Sequence, residues 1–268
     1  MSVQVFSHPS KKVLVTGVSG TGKTTLFEKL IRKEKARWKF VFDHQGEFSA
    51  RFGQRAATNI EELCEQTTRA GWIVFDPVKF ANEPNPVTGE RRGLPESFAF
   101  FCDYVFAMSE TLRGRKIIAC DELQKLVTNT KTPDELLCIL DTGRRYQLDF
   151  FAISQAPNQI HNAIRNQITE IYTFRQNDKN AVQYLADAGF NENEIRNLEK
   201  FAYLWRNLAT GEDNFRAGGG GEPDAATNGN PVVNKREGND MGASGGGVEH
   251  QPANDPAASG KHANEAGK

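Results

Sequence analysis

The chain has 268 residues, with 33 Lys and Arg against 34 Asp and Glu, for a net charge of −1. A length of this order holds one large domain or two small ones. The charge balance gives no global attraction for nucleic acid, so any such contact must come from local patches. No apolar run approaches the roughly 20 residues of a membrane-spanning helix, and the N-terminus, MSVQVFSHPSKK, lacks the apolar core of a secretory leader.

The first predicted element is a strand over Lys12 to Thr16. It runs into GVSGTGKT, Gly17 to Thr24, which fits the phosphate-binding loop pattern G-x-x-x-x-G-K-[ST]. Gly17, Gly20 and Gly22 let the backbone curl so that successive N–H groups point inward at phosphate oxygens. The candidate nucleotide-binding stretch is Gly17, Val18, Ser19, Gly20, Thr21, Gly22, Lys23, Thr24 and Thr25. Lys23 is expected to neutralise the β and γ phosphates, and the Thr24 hydroxyl to bind Mg²⁺. A helix follows from about Lys23, with Leu26, Phe27, Leu30 and Ile31 on one side and its positive dipole end at the phosphates. The plainer alternative is a glycine-rich turn ahead of a helix.

Next come a strand over Trp38 to Phe42 and a helix opened by a capping box at Thr58 to Glu61, with Ile60, Leu63, Cys64 and Thr67 on one face. A strand over Gly71 to Phe75 leads to a long polar loop, Asn82 to Leu94, carrying Arg91 and Arg92. Loops of this length in a compact domain are often functional, so this pair is a candidate DNA contact, against the alternative of solvated surface charge. Arg113 and Arg115 raise the same question. Pro95 opens a helix with Phe98, Phe101, Cys102, Val105 and Met108 at helical spacing.

The apolar strand Lys116 to Cys120 ends in Asp121 and Glu122. This is the form of a Walker B segment: Asp121 supports Mg²⁺ and Glu122 polarises the attacking water. The alternative is an acidic pair at a helix N-terminus. A second capping box at Thr132 to Glu135 precedes Leu136, Leu137, Ile139 and Leu140. The strand Phe150 to Ser154 ends at Gln155, whose amide suits contact with a γ phosphate or with water, or a plain turn hydrogen bond before Pro157. A strand over Ile171 to Phe174 follows, then a terminal hairpin of Phe201 to Trp205 with a turn at Thr210 to Glu212.

Cys64, Cys102, Cys120 and Cys138 form no C-x-x-C pair and lie in apolar-patterned segments, which predicts buried free thiols and a reducing, cytoplasmic setting. After Arg216 the composition changes. Residues 217–268 hold half of the glycines, no Leu, Ile, Phe, Tyr or Trp, and a charge of about −3, leaving about +2 for the rest. Such a segment cannot offset its ordering entropy, so the division is a domain at 1–216 and a disordered tail at 217–268, inert or for docking a partner.

Alternating strands and helices imply a mostly parallel central sheet covered on both faces. The three motifs, in this order, resemble the FtsK–HerA superfamily of ring-forming ATPases. Asp43-His44-Gln45-Gly46-Glu47-Phe48 is similar to the family's Asp-Pro-His-Gly-Glu-Tyr segment. Gly143-Arg144-Arg145 followed by Ser154-Gln155-Ala156-Pro157 is similar to its Gly-Arg-Lys and Thr-Gln-Arg-Pro pattern. His44-Gln45 departs from the Pro-containing pair, and Ala156 stands where an Arg is usual.

The resemblance covers about Lys11 to Glu212. It implies an α/β, RecA-like (additional-strand) P-loop NTPase core that uses ATP and Mg²⁺. The compact size is most like the genome-packaging ATPases of tailless, membrane-containing viruses. That implies double-stranded DNA as partner, a homo-oligomeric ring (a hexamer), a capsid vertex or portal protein, and a place in the host cytoplasm or virion. Lys23, Glu122 and Gln155 are then catalytic. Arg144 or Arg145 is an arginine finger acting on the neighbouring subunit, or else a helix C-terminal cation. Asp43 and Glu47 lie near the active site. A HerA-like or conjugation-type DNA pump, a phage assembly or export ATPase of the zonula-occludens-toxin-like type, and a nucleotide-gated scaffold are the other readings.

Overall fold

The computed structural model describes residues 9–127 and 132–216. Residues 1–8, 128–131 and the expected tail at 217–268 lie outside the described residues.

The elements in chain order are β1 (Lys12–Thr16), α1 (Lys23–Lys33), β2 (Trp38–Phe42), α2 (Glu47–Phe52), α3 (Ile60–Thr67), β3 (Gly71–Phe75), α4 (Val78–Asn82), α5 (Gly93–Thr111) and β4 (Lys116–Cys120). Then follow α6 (Leu123–Leu126), α7 (Asp134–Tyr146), β5 (Leu148–Ser154), α8 (Asn162–Arg165), β6 (Glu170–Thr173), α9 (Lys179–Asp187), α10 (Glu192–Asn197), β7 (Tyr203–Asn207) and β8 (Asp213–Arg216).

The strands form one eight-stranded sheet in the order β3-β2-β4-β5-β1-β6-β7-β8. Pairings from β3 through β6 are parallel, and the β6–β7 and β7–β8 pairings are antiparallel. This is the mostly parallel sheet with a terminal hairpin. β5 is inserted between the phosphate-loop strand β1 and the acidic strand β4, which is the additional-strand arrangement.

Side chains alternate across the strands and feed a core on each face. Val13, Val15, Val41, Ile117 and Ala119 pack with Phe27 and Ile31 of α1 and with Phe48 and Phe52 of α2. Leu14, Phe40, Phe42, Ile118 and Cys120 pack on the other face with α5, α7 and α9 residues such as Phe98, Phe101, Leu136 and Val182. Burial on both faces explains why these strands are continuous apolar runs.

Several local expectations shift. The first helix cap is Asn59, not Thr58: its side chain accepts from Glu62 N at 2.9 Å, while Glu62 Oε2 accepts from Thr58 N at 2.8 Å. That one-residue shift turns Ile60 outward, 42 % exposed, and leaves Leu63 and Thr67 buried. Only Cys102 and Cys120 are buried; Cys64 and Cys138 are free but exposed, because their helices turn them away from the sheet. The second capping position is Pro133. Helix α5 begins at Gly93, inside the expected loop, and Phe201 belongs to a turn before β7 rather than to the strand. Among the described residues, no helix is long and apolar enough to cross a membrane.

Candidate active site

The site gathers at the C-terminal ends of the parallel strands, where open α/β sheets place their ligands. Gly17, Gly20 and Gly22 have φ of 146°, 75° and 99°. Gly17 is also a packing requirement, since a Cβ there would lie 2.6 Å from Phe174 Cβ. The loop is held by Val18 N–H donating to Arg175 C=O at 2.9 Å. Thr21 Oγ1 and Lys23 Nζ both donate to Val18 C=O, at 2.8 and 2.9 Å. Burial lowers the Lys23 pKa, and the charges of Asp121 and Glu122 pull it back up. These two carboxylates therefore lie within electrostatic reach of the loop lysine.

Asp121 and Glu122 follow β4 and are both buried. Burial pushes the Asp121 carboxyl up to about 6, with the charges of Glu122 and Glu47 adding to the rise. Asp121 Oδ1 accepts from Glu122 N at 2.6 Å. Glu122 adopts φ 46°, a left-handed conformation rare for a non-glycine residue and characteristic of functional positions. Gln155, at the end of β5, donates through Nε2 to Glu122 Oε1 at 2.8 Å, and Lys125 pairs with Glu122 Oε2. Gln155, Glu122, Asp121 and Lys23 are thus one cluster built from three strand ends.

The Asp43–Phe48 segment joins it. Asp43 is buried; its Oδ2 accepts from Ser49 N at 2.8 Å, and its Oδ1 has no partner among the described residues. Glu47 opens α2 close enough to raise Asp121. The residues fit a divalent cation: buried Asp121 is crowded by two other acids, and Thr24 follows the loop lysine. Among the described residues no group of three His, Cys, Asp or Glu ligands forms a metal cage.

Three participants escaped the sequence reading. Gln176, buried, donates through Nε2 to Thr16 Oγ1 at 2.9 Å and to Gln155 C=O at 3.1 Å. His44 lies beside Glu122, and both its ring nitrogens are buried without hydrogen-bond partners among the described residues. Lys125 holds Glu122. The polar run Arg175 to Asp178 directly after a strand was the available signal for Gln176. Nothing local marks Lys125.

The arginines sit elsewhere. Arg144 and Arg145 are exposed in the last turn of α7, before β5 begins. The seven residues of β5 separate them from Gln155 by about 20 Å at ordinary strand rise, so neither can reach the phosphate loop of the same chain. Arg92 is drawn inward: its guanidinium lies 4.1 Å over the Phe80 ring and 3.4 Å from Glu83. Arg91 is exposed, and its Nε lies 3.4 Å from Ala81 C=O. Arg115 is committed to Asp149 at 2.6 Å and Glu34 at 2.8 Å.

Known proteins place this architecture. The family profile for the type IV secretion-system coupling protein DNA-binding domain matches residues 5–83. The genome packaging NTPase B204 of Sulfolobus turreted icosahedral virus 2, solved with ATP-γS, superposes with a TM-score of 0.58 at 14% identity, over 78% of this chain and 97% of its own. VirB4 of Thermoanaerobacter pseudethanolicus superposes at 0.58 with 11% identity, over 77% of this chain and 88% of its own. No curated protein matches significantly by sequence. The chain shares its P-loop NTPase fold with B204 and VirB4.

Proposed function

We propose that the chain is an ATP-hydrolysing motor that moves double-stranded DNA, working as a homo-oligomeric ring, a hexamer, to package a viral genome into a preformed capsid. The observation that carries the hydrolytic part is the Gln155–Glu122 hydrogen bond at the end of the strand between the phosphate loop and the acidic strand. In this reading Gly17 to Thr25 cradle the triphosphate and Lys23 neutralises its terminal charge. Glu122, held by Gln155 and Lys125, polarises the water that attacks the γ phosphorus in line. The Gln155 amide, already on Glu122, reports loss of the γ phosphate to β5. Thr24 and Asp121 would hold Mg²⁺, which supplies charge neutralisation to the phosphates when bound. Asp43 fixes the turn into α2 and so places Glu47 beside Asp121.

The DNA part is supported by the coupling-protein DNA-binding profile and by the likeness to B204, a genome packaging NTPase. Arg91 is the better candidate for DNA contact, since Arg92 is engaged within the fold. Arg144 or Arg145 serves the neighbouring subunit's phosphate. Residues 1–216 carry these activities, and 217–268 serve a partner such as a capsid vertex or portal protein, in the host cytoplasm or the virion. A conjugation-type DNA pump is the second reading, favoured by the match over residues 5–83; it shares the chemistry and differs in partner.

Hydrolysis measured with and without double-stranded DNA tests the proposal. Wild type should be stimulated by DNA, and Glu122→Gln should lose about a hundredfold or more in turnover. Hydrolysis indifferent to DNA overturns the translocase reading and brings the export and scaffold readings forward.

A further inference from the structure

Phe201 carries a combination of features that the packing of the fold does not account for. Ala202 N–H donates to Glu199 C=O at 3.1 Å, closing a four-residue turn with Phe201 in its third position. Its φ is 69°, a left-handed value that this turn position normally reserves for glycine. The side chain is also 49 % exposed. Glycine here would relieve both the strain and the exposure, so an aromatic ring at this position calls for something that covers its free face.

The place of the turn says what that is. Strand β7 runs antiparallel to β6, with Leu204 opposite Thr173, so the turn before it comes to the C-terminal end of β6. β6 pairs in parallel with β1, and Thr173 lies opposite Thr16, the residue before the phosphate loop. The ring accordingly rests on the loop: a Cβ built on Gly22 would lie 3.0 Å from Phe201 Cδ1 and 3.7 Å from Phe174 Cε1. Lys200 Nζ lies 5.1 Å from the centroid of the same ring.

We propose that Phe201 is the platform on which the nucleobase of the bound nucleoside triphosphate stacks. The inference rests on the nucleotide-binding reading of Gly17 to Thr25. A triphosphate seated in the loop leaves its base about one ribose away, and an exposed ring touching Gly22 offers the flat apolar face that a base requires. Stacking tolerates any base, so this contact contributes affinity for the nucleoside end and nothing for the phosphates.

The test is calorimetric titration of the full chain with a non-hydrolysable ATP analogue and, separately, with inorganic tripolyphosphate. Phe201→Ala should weaken the analogue roughly fivefold or more, and tripolyphosphate by less than about twofold. Phe201→Trp should bind the analogue as wild type does. Phe201→Gly suits the positive φ and keeps the turn folded, so it should reproduce the alanine result. Analogue affinity unchanged in both small variants overturns the inference. So does an equal loss for both ligands, which would make the ring a prop for the loop. Wild type that binds neither ligand overturns the nucleotide-binding reading, and the platform with it.

Discussion

Gln176 shows how one buried amide ties two functional strands. Its Nε2 bridges Thr16 Oγ1, at the root of the phosphate loop, and the carbonyl of Gln155, whose own side chain holds Glu122. Gln176→Leu keeps the volume and removes the donors, stranding two acceptors in a buried place. Leaving them unsatisfied should cost about 1–3 kcal/mol, measured by urea unfolding. Turnover should fall as well, since the Gln155 backbone loses its anchor to the phosphate-loop strand. Unchanged stability would mean that Thr16 and Gln155 find other donors. The left-handed Glu122 stands in the same relation to its surroundings. Its strain persists because Gln155, Lys125 and the Glu122 N–H bond to Asp121 all hold it.

Strand β4 carries a charge at its other end too. Lys116 is 2 % exposed, and its Nζ donates to Leu112 C=O and Gly114 C=O, both at 2.8 Å. Burial without a carboxylate partner lowers its pKa from 10.5 to about 8. Between those values the unfolded chain keeps a proton that the folded chain has shed. Stability should therefore rise with pH from about 8 to about 10.5, and the buried charge weighs fully against folding below 8. Other groups titrate in this range, so the check is the difference between wild type and Lys116→Met in denaturant unfolding across that window. The variant should lack this part of the rise. Strands like β4 were legible because burial on both faces leaves a mostly apolar run, broken in β2 only by Lys39, and the bounds of β1 to β4 follow it. The phosphate loop and the acidic pair were legible because each is contiguous in the chain. Helices α2, α6, α8 and α10 were not, since four to six residues are too few to show a helical period. Gln176 joins the site only through strand order, which brings a distant turn to the same end of the sheet, whereas His44 lay within the Asp43–Phe48 segment but nothing in the chain's pattern assigned it a partner.

For the molecule as a whole, the proposed ring turns the position of Arg144 and Arg145 into a prediction of how its subunits cooperate. They lie at the N-terminal end of β5, and the phosphate loop lies at the opposite end of the same sheet. A guanidinium from this patch reaches a γ phosphate only if a second copy sets its helix-end face against the first copy's loop. That contact is head-to-tail, and repeated with closure it makes a ring. The geometry predicts complementation. Lys23→Ala disables a subunit's own loop but leaves its arginines for the neighbour. The double variant Arg144→Ala, Arg145→Ala does the reverse. Each alone should be nearly inactive. Mixed in equal amounts before assembly, they should regain activity, because roughly a quarter of random neighbour pairs join an intact loop to an intact arginine patch. Steady-state hydrolysis against mixing ratio should pass through a maximum near equal amounts. A flat, inactive profile would place the finger on another residue, and full activity of the double variant alone would leave the two arginines as helix C-terminal cations.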